Sequence, residues 1–405
     1  MKIALKDVSK QAVIKLDRSI MSKDDGVYGY VKFGDKNDYP QKIERLVNNS
    51  ITAKSVSQIY SKFLAGRGFK ANINNIEIGT DAKGKKITVL KLLRYVCDSI
   101  AMYNGAYVHT NVNLIGKVGS IRPILFKQVR FASMDDKGYI AKVGVYENWE
   151  MDPDNVTFGS KIFDKKKIRW YNLFNLNTDV ISAQVKKVKG IEKYKGQVYF
   201  HFLDEQYIYP LSPFDSVGLD LDTEYQVSVF KNNMTRNGMT KKTVMRMVEP
   251  STDEDERQLT EGVKKWQGAD GENLLVVYDE IDLDTGEMKK SGAFALDSID
   301  SNIEDKLFEG WQKDLSNNIR KAVKALPGIL IDYEEGKLST TSGESIIQAT
   351  NFYNAMTFDD RASISEMFKE LLSNFDNPVL ENNINWEIQE LSLYEPINVQ
   401  STTGN

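Results

Sequence analysis

Phe33-Gly34-Asp35-Lys36-Asn37-Asp38-Tyr39-Pro40, followed by an apolar-periodic run from Gln41 to Leu64 and the turn Ala65-Gly66-Arg67-Gly68, is the stretch that organises this chain. Proline suits the start of a helix and glycine the position beyond its end. Within the run Ile43, Leu46, Val47, Ile51, Val56, Ile59, Tyr60 and Phe63 recur at helical spacing, which predicts one helix from Gln41 to Leu64. A second helix is expected over Val89, Leu90, Leu93, Val96, Cys97, Ile100 and Tyr103, stopped by Asn104-Gly105 and packed on the first. Upstream, residues 1–34 mix charged and apolar positions without clear period and read as a loosely structured arm.

Between Ala106 and Tyr209 the texture changes to short Val/Ile/Tyr/Phe runs separated by Gly, Asp and Asn. Strands are expected at Ala106 to Asn113, Ile121 to Ala132, Tyr139 to Val145, Ile168 to Leu173 and Gln197 to Phe202, with Asp135-Asp136-Lys137-Gly138 as a hairpin turn. Helices first and an antiparallel sheet second make an α+β unit. From Asp220 onward helices return. One is expected from Leu221 to Asn237 with Tyr225, Val229 and Phe230 inward. Next come a strand (Thr243 to Val248), an acid-opened helix (Thr252 to Gln267), a strand (Asn273 to Tyr278) and a turn at Asp282-Leu283-Asp284-Thr285-Gly286: a small β-α-β insert. Ile303, Leu307, Trp311, Leu315, Ile319 and Val323, each four apart, then form a long apolar stripe that halts at Leu326-Pro327-Gly328. A polar loop from Asp332 to Gly343, a helix from Glu344 to Phe375 and a strand near Ile384 to Leu393 complete the expected order.

With 405 residues, 41% hydrophobic and 27% charged, the chain can build more than one packing unit. A net charge of −4 argues against a protein whose main task is gripping nucleic acid. It is compatible with a conduit, because every fixed phosphate contact would be a barrier to a sliding polyanion. No run approaches the ~18 apolar residues of a membrane helix, and Met1-Lys2-Ile3-Ala4-Leu5-Lys6 lacks the apolar block of a signal peptide, so an intracellular product is expected. Cys97 is the only cysteine, which leaves no intrachain disulfide and reads as a buried thiol.

This order of segments resembles the portal proteins of tailed bacteriophages, of the compact kind. In that family a wing of mixed α/β structure leads to a stem helix, a small β-α-β clip, a returning stem helix, a tunnel loop and a long helix. The residues that carry the likeness are the Gly-x-x-Asn-x-Tyr-Pro run ending at Pro40 and Tyr209-Pro210-Leu211 with the helix through Phe230-Lys231-Asn232-Asn233 to Asn237-Gly238. To these belong Val244 to Val248, Thr252 to Gly268 with Gly271-Glu272-Asn273, and Ile303 to Ala325 with Leu326-Pro327-Gly328. The chain departs from the family at Ala325-Leu326, where Phe-Gly-Val usually precedes the loop proline, and in the little length left for a crown.

The resemblance implies an arm (1–34), a wing (35–214), a first stem helix (215–240) and a clip with hairpin (241–292). A second stem helix (293–326), a tunnel loop (327–343) and a long helix with reduced crown and C-terminal strand (344–405) follow. It further implies a non-enzymatic cyclic homo-oligomer, by family a dodecamer, at the capsid vertex of the virion, without cofactor or membrane. The implied partners are double-stranded DNA without sequence specificity, the terminase large subunit, a head-tail adaptor protein and a major capsid or scaffold protein. Leu326, Pro327, Gly328, Ile329, Lys337, Ser339, Thr340 and Thr341 would form the tunnel loop against DNA. Lys241, Lys242 and Arg246 read as clip contacts to DNA or a docking partner, or as a solvated face. Asp253, Glu254 and Asp255, with Glu256, read as a motor-docking surface or as dipole complements in a first helical turn. Ile303, Leu307, Trp311, Leu315 and Ile319 would pack the stem.

Two other classes compete with this reading. Gly79-Thr80-Asp81-Ala82-Lys83-Gly84-Lys85 has the spacing of a phosphate-binding loop and is the one hook for an enzyme acting on nucleic acid. Lys86 stands where magnesium needs a Ser or Thr hydroxyl, so a basic turn is the preferred reading. Only His109 and His201 are available as histidines, which excludes a His-rich zinc site, and the Asp282 turn lacks the closing Glu of a calcium loop. Trp266 and Trp311 read as core or subunit interface. The third class is a monomeric capsid-associated or scaffold-like protein.

Overall fold

A computed structural model of the chain describes residues 29–149, 164–237, 241–246, 274–277, 296–300, 305–331, 342–380 and 384–392, with the backbone alone for 234–237, 241–246, 274–277, 296–300, 305–309 and 342. The fold is α+β, and the chain divides into two compact units: Met1–Gly218 with Asn318–Asn405, and Leu219–Asn317.

In the larger unit the expected first helix is two, α1 (Tyr39–Asn49) and α2 (Ile51–Ala65). Ser50 breaks the run because its side chain accepts a hydrogen bond from the Ala53 amide, offering the backbone an N-cap in place of continued helix. The apolar stripe survives the break, with Val47 and Ala53 both buried, so spacing alone did not expose it. At its far end Gly66, at φ 51°, brings the chain against residue 389, where a Cβ would overlap the Gln389 carbonyl oxygen. A hairpin of β1 (Glu77–Thr80) and β2 (Lys86–Thr88) leads into α3 (Val89–Tyr103), which Thr88 caps through the Lys91 amide. Leu92, Leu93, Val96, Cys97 and Ile100 on α3 are fully buried, each of the four aliphatic side chains contributing about 1.5–3 kcal/mol. Helix α3 packs against α2 and against the sheet.

That sheet has six strands in the order β4-β3-β8-β7-β6-β5: β3 (Gly105–Val112), β4 (Val118–Ile124), β5 (Val129–Phe131), β6 (Lys142–Val145), β7 (Arg169–Leu173) and β8 (Gln197–Phe202). The expected strand from Ile121 to Ala132 is interrupted by a 3-10 turn, Phe126–Gln128. The sheet is mixed rather than antiparallel, because a helix missing from the sequence reading, α4 (Thr178–Lys187), carries the chain across so that β7 and β8 run parallel. Its pattern is weak, with Ile181 its only buried residue.

The opening motif is the frame of this unit. Asn37 adopts φ 56° and its side chain accepts the Phe33 amide and the Arg130 Nε at 2.6 Å. Arg130, wholly buried, donates further to the carbonyls of Asn37 and Val129 and lies 5.5 Å over each of the Phe33 and Trp149 rings. Tyr39 donates its hydroxyl to Asp215 and accepts the Ser212 amide, fastening residues 39 and 212–215. The core therefore extends into the expected arm: Tyr30, Val31 and Phe33 are core residues, and Tyr30 bridges Ala132.

The smaller unit runs from α5 (Gly218–Asn237) through three strands, β9 (Lys241–Arg246), β10 (Leu274–Val277) and β11 (Leu296–Asp300), to α6 (Asp305–Ala322). Strand β9 is central, parallel to β10 and antiparallel to β11. Strand β11 was not expected; residues 293–300 had been placed in the returning helix, which begins at Asp305. On α5 the inward residues are Leu221 and Val227, whereas Tyr225 is 38% exposed. The expected helix at Thr252 to Gln267 lies outside the described residues.

The expected single helix from Glu344 to Phe375 is again two, α7 (Ser342–Met356) and α8 (Phe358–Leu372). Thr357 turns its hydroxyl back onto the Tyr353 carbonyl, and Arg361 donates to the Thr357 hydroxyl and the Asn354 carbonyl, stabilising the break. Residues 384–392 form a single bridge, Phe69 with Ile388, in place of the expected strand.

Candidate functional site

The sequence placed the functional weight on the insert, its two helices and the loop after α6. Of the apolar stripe, Leu315 and Ile319 are buried but Trp311 is 48% exposed. Ile303 lies outside the described residues, and Leu307 is described by its backbone. The helix ends at Ala322, and Lys324 and Ala325 both take positive φ, at 53° and 52°. The Leu326 amide returns to the Arg320 carbonyl, so the chain reverses before the proline.

This reversal is latched by residues the sequence reading missed. Tyr353 on α7 donates its hydroxyl to the Val323 carbonyl at 3.2 Å. Asp360 on α8 accepts the Lys324 ammonium at 3.2 Å and the Tyr60 hydroxyl of α2 at 2.8 Å. Burial first, then the Asp360 charge and its hydrogen bond, raises the Tyr60 pKa, which keeps the phenol a donor. A cavity of about 170 Å³ beside the latch is lined by Tyr60, Asn104, Val323, Lys324 and Asp360 among others. Two positive-φ residues without glycine were the available sequence-independent sign of a strained root; in the letters Lys324-Ala325 nothing marks it.

Past the latch, Leu326, expected in the tunnel loop, is 3% exposed and anchors the loop root. Pro327 and Gly328 enter a 3-10 turn, Gly328–Leu330, in which Gly328 leaves room for the Arg320 guanidinium, and Ile329 is exposed. Lys337, Ser339, Thr340 and Thr341 lie outside the described residues, as do Asp253, Glu254 and Asp255. Lys241, Lys242 and Arg246 are all on the central strand β9, with Lys241 and Lys242 in register with Asp300 and Ile299 of β11.

The phosphate-loop spacing and the two histidines have specific local partners. Residues Asp81 to Lys85 are the turn of the β1–β2 hairpin, and the Asp81 carboxylate accepts the Lys83 and Lys85 amides. The donors a phosphate would use are already taken by an acid, and those amides hold the Asp81 pKa below its ordinary value. His109 shares its Nε2 proton with the Lys195 carbonyl at 2.6 Å and accepts Arg122 Nε at Nδ1. Burial lowers it to about 4, with Arg122 reinforcing the shift. His201, lowered to about 4 by burial, contacts the Ser363 hydroxyl at 3.2 Å. Glu205, Glu366 and Glu370 line the same cavity as His201; Glu370 accepts the Tyr199 hydroxyl, and the one side-chain hydrogen bond seen for the His201 ring among the described residues is to Ser363. Among the described residues no group of three His, Cys, Asp or Glu could hold a metal ion. Cys97 is buried, and burial raises its thiol pKa well above the ordinary value. No helix among the described residues is long and apolar enough to cross a membrane.

No protein-family model and no curated protein matches this chain. Solved structures similar to it include a chain of the virion of a native gene transfer agent particle, with 11% identity, TM-score 0.48, and coverage of 83% of this chain and 81% of that one. A chain from the neck of the native gene transfer agent particle, computed with C12 symmetry, has 14% identity and TM-score 0.44 over 83% and 81%. An HK97 family phage portal protein from Corynebacterium diphtheriae has 10% identity and TM-score 0.36 over 77% and 89%. At these values the functional reading rests on the chain's own elements.

Proposed function

We propose that this chain is a portal subunit: a non-enzymatic virion protein that closes into a ring at the capsid vertex and passes double-stranded DNA during packaging and ejection. The observation that carries the proposal is the place of the smaller unit in the chain. It leaves an α+β unit on one helix, α5, builds a three-stranded sheet with a parallel pair, and returns on another, α6, to a latched loop and two further helices. This order supports the wing, stem, clip, stem and loop division that the sequence resemblance implies. In this reading the insert acts by shape, and ring closure through repeated head-to-tail contacts makes its function collective.

In this reading residues 327–343 face the bore, with contacts by shape and weak polarity. The clip, with Lys241, Lys242, Arg246 and the acids 253–255, meets the terminase large subunit or the head-tail adaptor. The wing meets capsid or scaffold protein. A loading experiment tests the conduit. Linear duplex DNA is incubated with the purified assembly, both ends are then blocked with bulky protein caps, and salt is raised to strip non-specific contacts. Retention that is lost when one end is left open is the expected result. Equal loss from capped and open duplexes overturns the conduit.

A further inference from the structure

The chain carries net negative charge, yet the ten residues Lys186-Lys187-Val188-Lys189-Gly190-Ile191-Glu192-Lys193-Tyr194-Lys195 hold five lysines against one acid. They are gathered into one tip. Helix α4 ends at Lys187, Lys189 turns at φ 62°, and the Gly190 amide returns to the Val185 carbonyl, so the chain doubles back into the 3-10 turn Ile191–Lys193. The turn is fixed from inside: Tyr194 and Ile181 are buried with Val112, and the Tyr194 hydroxyl donates to Gln184 at 2.7 Å. Lys186, Lys187, Lys189, Lys193 and Lys195 are all exposed. Arg122 joins them, exposed on β4 and linked through the His109 ring to the Lys195 carbonyl. Among the described residues none of these six cations is in an ion pair.

From this arrangement we propose that the α4 tip is a second contact for the backbone of duplex DNA, distinct from the loop after α6. Lysine ammoniums are non-directional point charges whose contacts exchange readily, which fits phosphates spaced along a moving polyanion. The one aromatic of the segment, Tyr194, is buried, so no platform for stacking unpaired bases is offered and duplex is favoured over single strands. The rigid root means that binding orders little beyond the lysine side chains. The contact is a property of the single chain and stands or falls apart from ring formation.

The test is a salt titration of full-length protein with a random-sequence duplex, followed by fluorescence anisotropy. Three chains are compared: the native one, Lys187→Gln with Lys193→Gln and Lys195→Gln, and Lys165→Gln with Lys166→Gln and Lys167→Gln as a control of equal charge change. Loss of three phosphate contacts lowers the magnitude of the slope of log K against log salt by about 2 to 3. That fall in the tip variant, with the control at the native slope, is the expected result. Equal falls in both variants would make net charge the cause and overturn a local site. Unchanged DNA binding with loss of polyglutamate binding in the tip variant would assign the tip to an acidic protein partner and also overturn the proposal. Native mass, measured on all three chains, reports assembly separately.

Discussion

Two buried polar centres hold the larger unit together, and they are built differently. Around Arg130 a fully buried cation is satisfied by carbonyls, an amide and two aromatic rings, all from residues 33–41, 127–130 and 149. Around Asp360 a carboxylate is shared between an internal tyrosine and Lys324, whose side chain is 42% exposed. The first has no route to water and can only be made or broken with the fold. The second touches solvent and holds the root of the loop after α6, so it can yield locally. The contrast separates a sealed frame from a latch that touches solvent: the motif ending at Pro40 is architecture, and the latch ties residues 323–324 to α7 and α8.

Breaking the frame is expected to have the largest effect. Arg130→Ala strands the Asn37 and Val129 carbonyls and costs about 3–5 kcal/mol, read as a fall in denaturant midpoint. Arg130→Lys restores charge without the fork and recovers less than half of it; full recovery would mean that charge alone matters.

Acid should come next. His109 is neutral in the folded state, its pKa lowered to about 4 by burial, against an ordinary value near 6.5. The unfolded chain takes the proton first, so stability is full above pH ~6.5 and falls as pH drops towards 4, by on the order of 3 kcal/mol. His201, also lowered to about 4 by burial, adds a fall in the same window, so His109→Gln should remove about half of the decline in melting temperature with acid; an unaltered profile would place the titration elsewhere.

At the latch the effects are smaller and local. Asp360→Ala removes the acceptor of Tyr60 and the partner of Lys324 and costs about 2 kcal/mol. Its distinguishing sign is faster limited proteolysis after residue 331 at temperatures well below global melting. Uniform protection there would mean that the latch is only another frame. Smallest of all, Gly328→Ala displaces the flexible end of Arg320 and is expected to cost less than ~1 kcal/mol by the same denaturation assay.

Where one period governed a long segment, as in α3, or a short Val/Tyr/Phe run marked a buried strand, as in Gln197 to Phe202, the sequence was readable. It failed where a single polar side chain competed with the helix backbone, at Ser50 and Thr357, because neither break disturbs the apolar stripe. It failed at α4 because a helix with one buried residue has little pattern to read. Strand β11 was absorbed into the helix that follows it, since Leu296-Asp297-Ser298-Ile299-Asp300 is too short to declare a period. At the candidate site the order of segments was legible. The latch was not, because Tyr60, Tyr353 and Asp360 come from three helices, with Tyr60 and Asp360 three hundred positions apart.

The most direct measurement is the native mass of the purified full-length chain, with images of the same sample. A closed ring of about twelve copies around a central hole is the predicted result. A particle that stays monomeric at high concentration, alone and in the presence of capsid or scaffold protein, would contradict it.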